Sequence, residues 1–206
     1  MGTVARAEEI LLALPSPRSS IPRATQVRGA WLSWSVRGIR DRGYWDEYLA
    51  KLPAQYHDIV RAPAAGEWYP IDVALAHYAA CDALALPVNE VVDMGRTATR
   101  AAHGMILEVA AKLAAGTGAT PWTVVGNMAR QWERTFKGGA VGATKLGPKE
   151  AKVELAQWPC AAYRHCRIGS RGVLLGMVEL FSEKAYVSEE PELCTPLSVG
   201  LRVAWV

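Results

Sequence analysis

Apolar side chains recur every third or fourth position through most of the first two thirds of this chain and every second position near its end. The first pattern predicts helices and the second strands. Residues 4–14 (VARAEEILLAL) have the period of a short amphipathic helix, and the Pro- and Ser-rich PSPRSSIPRAT that follows cannot continue it. From Val27, VRGAWLSWSV predicts a strand running into a helix that Gly43 ends, and YWDEYLAKLP and AQYHDIV predict two short helices closed by prolines. GEWYPIDVALAHYAACDALALP predicts a helix opened by Pro70 and Asp72, with Ile71, Leu75 and Tyr78 at helical spacing. The longest helical candidate runs from Val88 to Leu113, with Val91, Ala98, Ala102, Met105 and Val109 on one stripe. Its Gly95 and Gly104 each cost about 1 kcal/mol relative to Ala, which marks close packing. Thr120 is placed to cap the next helix and Pro121 to open it; that helix carries Trp122, Val125, Met128 and Trp132 and stops at Gly138 and Gly139.

Beyond those glycines the period changes. AVGATKLGPKEAKVELAQWP predicts a hairpin turning at Gly147 and Pro148, and a helix is expected from about Gly172 to Glu183. The last segment alternates most clearly: Leu197, Val199, Leu201, Val203 and Trp205 share one face of a strand, and Ser198, Gly200, Arg202 and Ala204 the other. The fold class is therefore α+β, with a helical N-terminal two thirds packed on a small antiparallel sheet crossed by a helix. Residues 26–206 form a single ligand-binding or interaction domain, and residues 1–25 a flexible N-terminal arm with an apolar segment suited to docking on the body or on a partner.

Length and composition narrow the class. With 206 residues, half of them hydrophobic and 21% charged, the chain can bury one sizeable core. The net charge of +3 is spread along the sequence, which argues against a nucleic-acid partner. No apolar run reaches the roughly 18 residues that span a bilayer, and Glu8 and Glu9 break what would be a signal peptide's core. Arg6 stands where N-myristoylation requires Ser or Thr. Cys81, Cys160, Cys166 and Cys194 form no CxxC pair, so reduced thiols and a cytoplasmic location are expected.

Candidate chemistry is sparse. None of His57, His77, His103 and His165 belongs to a metal-binding pair by spacing. His103 lies at the edge of the long helical stripe, as a haem ligand or as a polar anchor. CAAYRHCRIGSR gathers Cys160, His165 and Cys166 within a few residues, but if the stretch is a strand, adjacent residues point to opposite faces and His165 and Cys166 do not share a site. There is no GxSxG, and Ser170 has no identifiable base. GGAVG follows a helix and precedes a strand, the reverse of a phosphate loop, and is expected to be a turn. The excess is in tryptophan. Of eight, Trp31, Trp34, Trp45, Trp68, Trp122 and Trp132 lie in or beside predicted helices, where they can fill gaps between helices, line a cavity or form a partner surface.

WYPIDVALAHYAACDAL, the MGRTATRAA helix, PWTVVGNMARQWERTFKGG, LGPKEAKVEL and RGVLLGMVEL, in that order, resemble a myxobacterial paralogous family of unknown function over about residues 26–187. More distantly, helices followed by a sheet crossed by a helix are similar to haem NO-binding domains and to vinyl-reductase-type ligand-sensing domains. That resemblance implies a sensor that binds a small molecule between its helical layer and its sheet. For haem it further implies an axial histidine in the helix shortly before the hairpin, which here is QWERTFKGG and contains none. It also implies a tyrosine–serine–arginine motif for the propionates, whose residue types occur in YRHCRIGSRG at another spacing. Only Cys166 and Cys194 echo the cysteines of the vinyl-reductase type.

The expectation is thus a non-catalytic, cytoplasmic sensor or interaction domain with an apolar, aromatic-lined pocket made by Trp68, Tyr69, His103, Trp132 and Trp158. It needs no cofactor, and its partners are an apolar small molecule and a protein partner or second copy, with no membrane span. The alternatives are a metal- or haem-dependent protein using His103 or His165 and Cys166, and a structural partner protein that docks through its N-terminal arm.

Overall fold

The computed structural model describes residues 8–99 and 120–206. The helices are α1 (Gly29–Asp41), α2 (Trp45–Lys51), α3 (His57–Arg61), α4 (Ile71–Ala83), α5 (88–99), α6 (Pro121–Thr135) and α7 (Arg164–Val178). The strands are β1 (Glu9–Leu12), β2 (Gln26–Arg28), β3 (Trp68–Pro70), β4 (Phe136–Lys137), β5 (Ala140–Gly147), β6 (Glu150–Ala156), β7 (Ala185–Glu189) and β8 (Ser198–Trp205). A five-stranded antiparallel sheet has the order β1-β5-β6-β8-β7, and a small three-stranded sheet the order β3-β2-β4. The α+β expectation therefore stands as read, with α7 as the helix that crosses the sheet.

Local chemistry explains most boundaries. Pro70 and Pro121 open α4 and α6, and at α6 Thr120 and Thr123 close a reciprocal cap. Gly43, Gly138 and Gly139 take positive φ where helix α1 and the α6–β5 junction turn back, a conformation open to glycine at no steric cost. The buried face of β8 is Val199, Leu201, Val203 and Trp205, as the alternation requires. These residues pack with Val153, Leu174 and Trp158 in the main core, and a second core around Tyr48, Ile39, Val60, Val91 and Ile168 joins the helices.

Two elements differ from the sequence reading. Glu9–Leu12 is a strand on the edge of β5, not part of a helix. The period there is helical, but the open edge of β5 offers hydrogen bonds that an isolated short helix cannot match. Lys145 and Lys152 also hold Glu9 and Glu8 at 3.0 and 3.2 Å. Helix α7 begins at Arg164, eight residues before Gly172, so His165 and Cys166 are helical and both buried. This corrects the strand reading of CAAYRHCRIGSR. The reason is packing: α7 meets α5 through Gly95, Gly172 and Gly176, where an added Cβ would strike the main chain of the facing helix. A hydropathy pattern treats such glycines as breaks. Of the expected long helix, 88–99 is helical, and Gly104 lies outside the described residues.

Candidate functional site

Four helices enclose a cavity of about 340 Å³. From α1 come Trp31, Trp34, Ser35 and Gly38, spaced so that one face of the helix is presented. Helix α5 adds Val91, Met94, Ala98 and Thr99, and α7 adds His165, Cys166, Ser170, Val173 and Met177. The last turn of α6 contributes Gln131, Arg134 and Thr135, Tyr78 enters from α4, and Arg28 comes from the end of β2. Behind this space lies a recess of about 100 Å³ that shares Trp31, Gln131, Thr135 and Met177 and reaches Met128, Trp132 and Trp158.

The recess is walled by aromatic edges. Trp31 meets Phe136 and Trp158 edge-on, and Trp132 packs on Phe136 at 4.5 Å and on Trp158 at 5.5 Å between ring centroids. Trp31 Nε1 donates to the Tyr78 hydroxyl at 2.7 Å, and Trp132 Nε1 to the Gly138 carbonyl at 3.0 Å. Trp158 is fully buried, and its indole N–H has no acceptor among the described residues.

Two histidines stand near the cavity in different states of satisfaction. His77, fully buried on α4, is bonded at both ring nitrogens, to the Tyr48 hydroxyl at 2.7 Å and the Ser35 hydroxyl at 2.8 Å. Burial, with His165 nearby, lowers its pKa to about 3. His165 is only 4% exposed, and its ring has no hydrogen-bond partner among the described residues; its main-chain N–H donates to Asp82 Oδ1 at 2.6 Å. The other Asp82 oxygen accepts from the Arg164 N–H at 2.9 Å, so a carboxylate from α4 caps α7 from across the fold. Burial lowers the His165 pKa to about 4, against the pull of Asp82 upward. Its imidazole is neutral at pH 7 and faces an apolar cavity. Burial raises the Cys81 and Cys166 thiols well above the ordinary range, which makes both unreactive. Among the described residues no three His, Cys, Asp or Glu are grouped to hold a metal ion.

Of the residues expected to line a pocket, Trp132 and Trp158 face the recess. Trp68 and Tyr69, on β3, are not among the lining residues: the Trp68 ring lies under Arg28 at 4.1 Å and Lys137 at 4.9 Å, and the Tyr69 hydroxyl accepts from the Ala64 N–H at 3.1 Å. His103 lies outside the described residues. Missing from that expectation were Tyr78, Met94, Met177, Arg28 and Arg134. The spacing of Trp31 and Trp34, one helical turn apart, was the available signal for α1. Reading 164–178 as a helix would have put His165 and Cys166 beside one another on its buried side.

No protein-family model matches the sequence, and no curated protein matches it either. Solved structures do share the fold. The chain is similar to a mutant H-NOX (haem NO-binding) protein from K. algicida in its Fe(II) unliganded form, with a TM-score of 0.63 at 8% identity over 87% of this chain and 96% of that one. It is similar to a mutant of H-NOX from T. tengcongensis, with a TM-score of 0.56 at 12% identity over 86% and 97%. An H-NOX protein from S. oneidensis gives a TM-score of 0.56 at 12% identity over 87% and 96%. At these identities the likeness is one of fold, and it agrees with the distant resemblance read from the order of elements.

Proposed function

We propose that this chain is a non-catalytic sensory domain that takes up a small, largely apolar molecule in the cavity between α1, α5, α6 and α7, with His165 as the polar contact. One observation carries the reading: a buried, neutral imidazole without a ring partner among the described residues stands in the wall of an apolar cavity. A ligand donor or acceptor in the cavity can meet that ring. Burying about 300 Å² of ligand apolar surface contributes about 7 kcal/mol before association costs. On its motifs we place the chain with the myxobacterial paralogous group, as a cytoplasmic protein that passes its state to a protein partner.

The likeness of fold favours a second reading, in which the occupant is haem. Helix α6, the one before the hairpin, has no histidine from Pro121 to Thr135, and the residues it gives the cavity lining are Gln131, Arg134 and Thr135. His165 is the imidazole that the described cavity wall offers, and being neutral it keeps a lone pair free for a metal. The residues thus fit the group through α7 rather than through α6. When bound, the iron would supply reversible binding of a diatomic gas. The chain's own part is to keep the imidazole neutral by burial, to exclude water with Trp31, Trp34, Met94 and Met177, and to fix the first turn of α7 on Asp82.

Titration of the purified full chain, wild type and His165→Ala, with haemin and separately with an uncharged aminoanthracene separates the readings. The first expects the aminoanthracene to quench tryptophan fluorescence and to bind the variant more weakly. The second expects a stoichiometric Soret band that shifts in the variant. Folded protein that binds neither compound rejects both.

A further inference from the structure

We infer that the molecule held in this cavity carries an acidic head group, a carboxylate or equivalent anion, received at the mouth by Arg28 and Arg134. This rests on the ligand-binding reading above and adds the chemistry of the ligand to it. The two residues come together because β2 pairs with β4, which continues directly from α6. Arg28 Nε donates to the Arg134 carbonyl at 3.5 Å, and its Nη1 to the Gly66 carbonyl at 2.6 Å. These bonds orient the Arg28 guanidinium but bring it no negative charge.

Some arginines meet carboxylates, Arg42 with Asp93, Arg96 with Glu179, Arg18 with Glu154 and Arg202 with Glu150, while Arg40, Arg164 and Arg167 donate to main-chain carbonyls. Arg28 and Arg134 line the cavity and form no ion pair among the described residues, although Glu67 and Glu133 adjoin the same corner in sequence. Lys137, over the same Trp68 ring as Arg28, brings a third cation to that corner. Unneutralised guanidiniums at the edge of an apolar space are suited to a planar carboxylate, which each can bind through two parallel N–H donors. The apolar body then extends inward past Trp31 toward the recess. A long-chain carboxylic acid and the propionates of a tetrapyrrole share this chemistry.

Displacement of the neutral aminoanthracene from the full chain tests the idea. Dodecanoic acid is compared with dodecanol, and protoporphyrin with its dimethyl ester, so the two pairs distinguish the sources. The acid of at least one pair is expected to bind more tightly than its neutral counterpart, and Arg134→Gln to cut that acid-over-neutral ratio roughly tenfold. Added salt weakens the acid alone. Arg28→Gln serves as a second variant once circular dichroism shows it folded, because it also loses the bonds to Gly66 and Arg134. Equal affinity within both pairs, or an acid advantage untouched by Arg134→Gln, overturns the head-group assignment while leaving the cavity reading in place. Failure of the aminoanthracene and of protoporphyrin alike to bind the folded chain overturns both.

Discussion

The glycine contact between α5 and α7 can be tested by a pair of substitutions on one helix. A Cβ built at Gly172 overlaps the Val92 carbonyl oxygen and lies 2.9 Å from both the Val92 carbonyl carbon and the Arg96 nitrogen. Relaxed contacts between such heavy atoms need about 3.5–4.0 Å, so the helices must part by more than about half an ångström. Overpacking of this kind costs about 1–3 kcal/mol. At Gly169, three residues earlier on α7, an added Cβ meets nothing within 4 Å. Alanine there contributes about 0.5–1 kcal/mol through helix propensity. With Tm moving about 2–4 °C per kcal/mol for a chain of this size, Gly172→Ala is expected to melt several degrees below wild type and Gly169→Ala at or slightly above it. Differential scanning calorimetry measures both. A Gly172→Ala protein as stable as Gly169→Ala would refute the close approach of the two helices.

Other outcomes follow from the polar contacts. Asp82→Ala removes the acceptor for two N–H groups at the start of α7 and is expected to cost about 1–2 kcal/mol in chemical denaturation, with Asp82→Asn in between; an unchanged midpoint counts against the cap. His77 and His165 are held neutral in the fold, with pKa lowered by burial to about 3 and about 4. The unfolded chain therefore binds more protons below its ordinary histidine value of about 6.5. Stability is full above that value and is lost as the pH falls toward the folded values, by up to about 1.4 kcal/mol per pH unit for each histidine. Urea midpoints that do not move between about pH 6.5 and about pH 5 would contradict that burial. Glu179→Gln breaks the two-pronged contact in which Arg96 Nε and Nη2 reach Glu179 at 2.6 and 2.9 Å, and is expected to lower stability by about 1–3 kcal/mol. A difference from wild type that disappears at high salt would mark the pair as a solvated surface contact.

What could be read without coordinates was what local chemistry decides. Pro70, Pro121 and Gly43 punctuate α4, α6 and α1 as expected, and the alternation of β8 marks its buried face. The strand at Glu9–Leu12 was not legible, because its partner β5 lies more than a hundred residues away and its own apolar spacing suits a helix. The first half of α7 was hidden for a different reason. Its buried residues are His165, Cys166, Ile168, Ser170 and Gly172, where Ile168 is the one large aliphatic side chain and no apolar stripe forms. The cavity was hidden with it. Aromatic type alone pointed to Trp68 and Tyr69, whereas the convergence of four helices selected Tyr78, His165, Met94 and Met177. Arginines that end a strand and a helix look like ordinary surface charge until β2 and β4 pair.

The smaller sheet gives the cavity an unusual suspension. Helix α1 starts on the residue after β2, and α6 ends on the residue before β4, with no loop at either junction. Because β2 and β4 are hydrogen-bonded neighbours, two walls of the chamber hang from one common axle. Were an occupant to spread those walls, neither junction has a loop to take up the motion, and the ribbon of main chain from Gln26 to Arg28 would have to move with them.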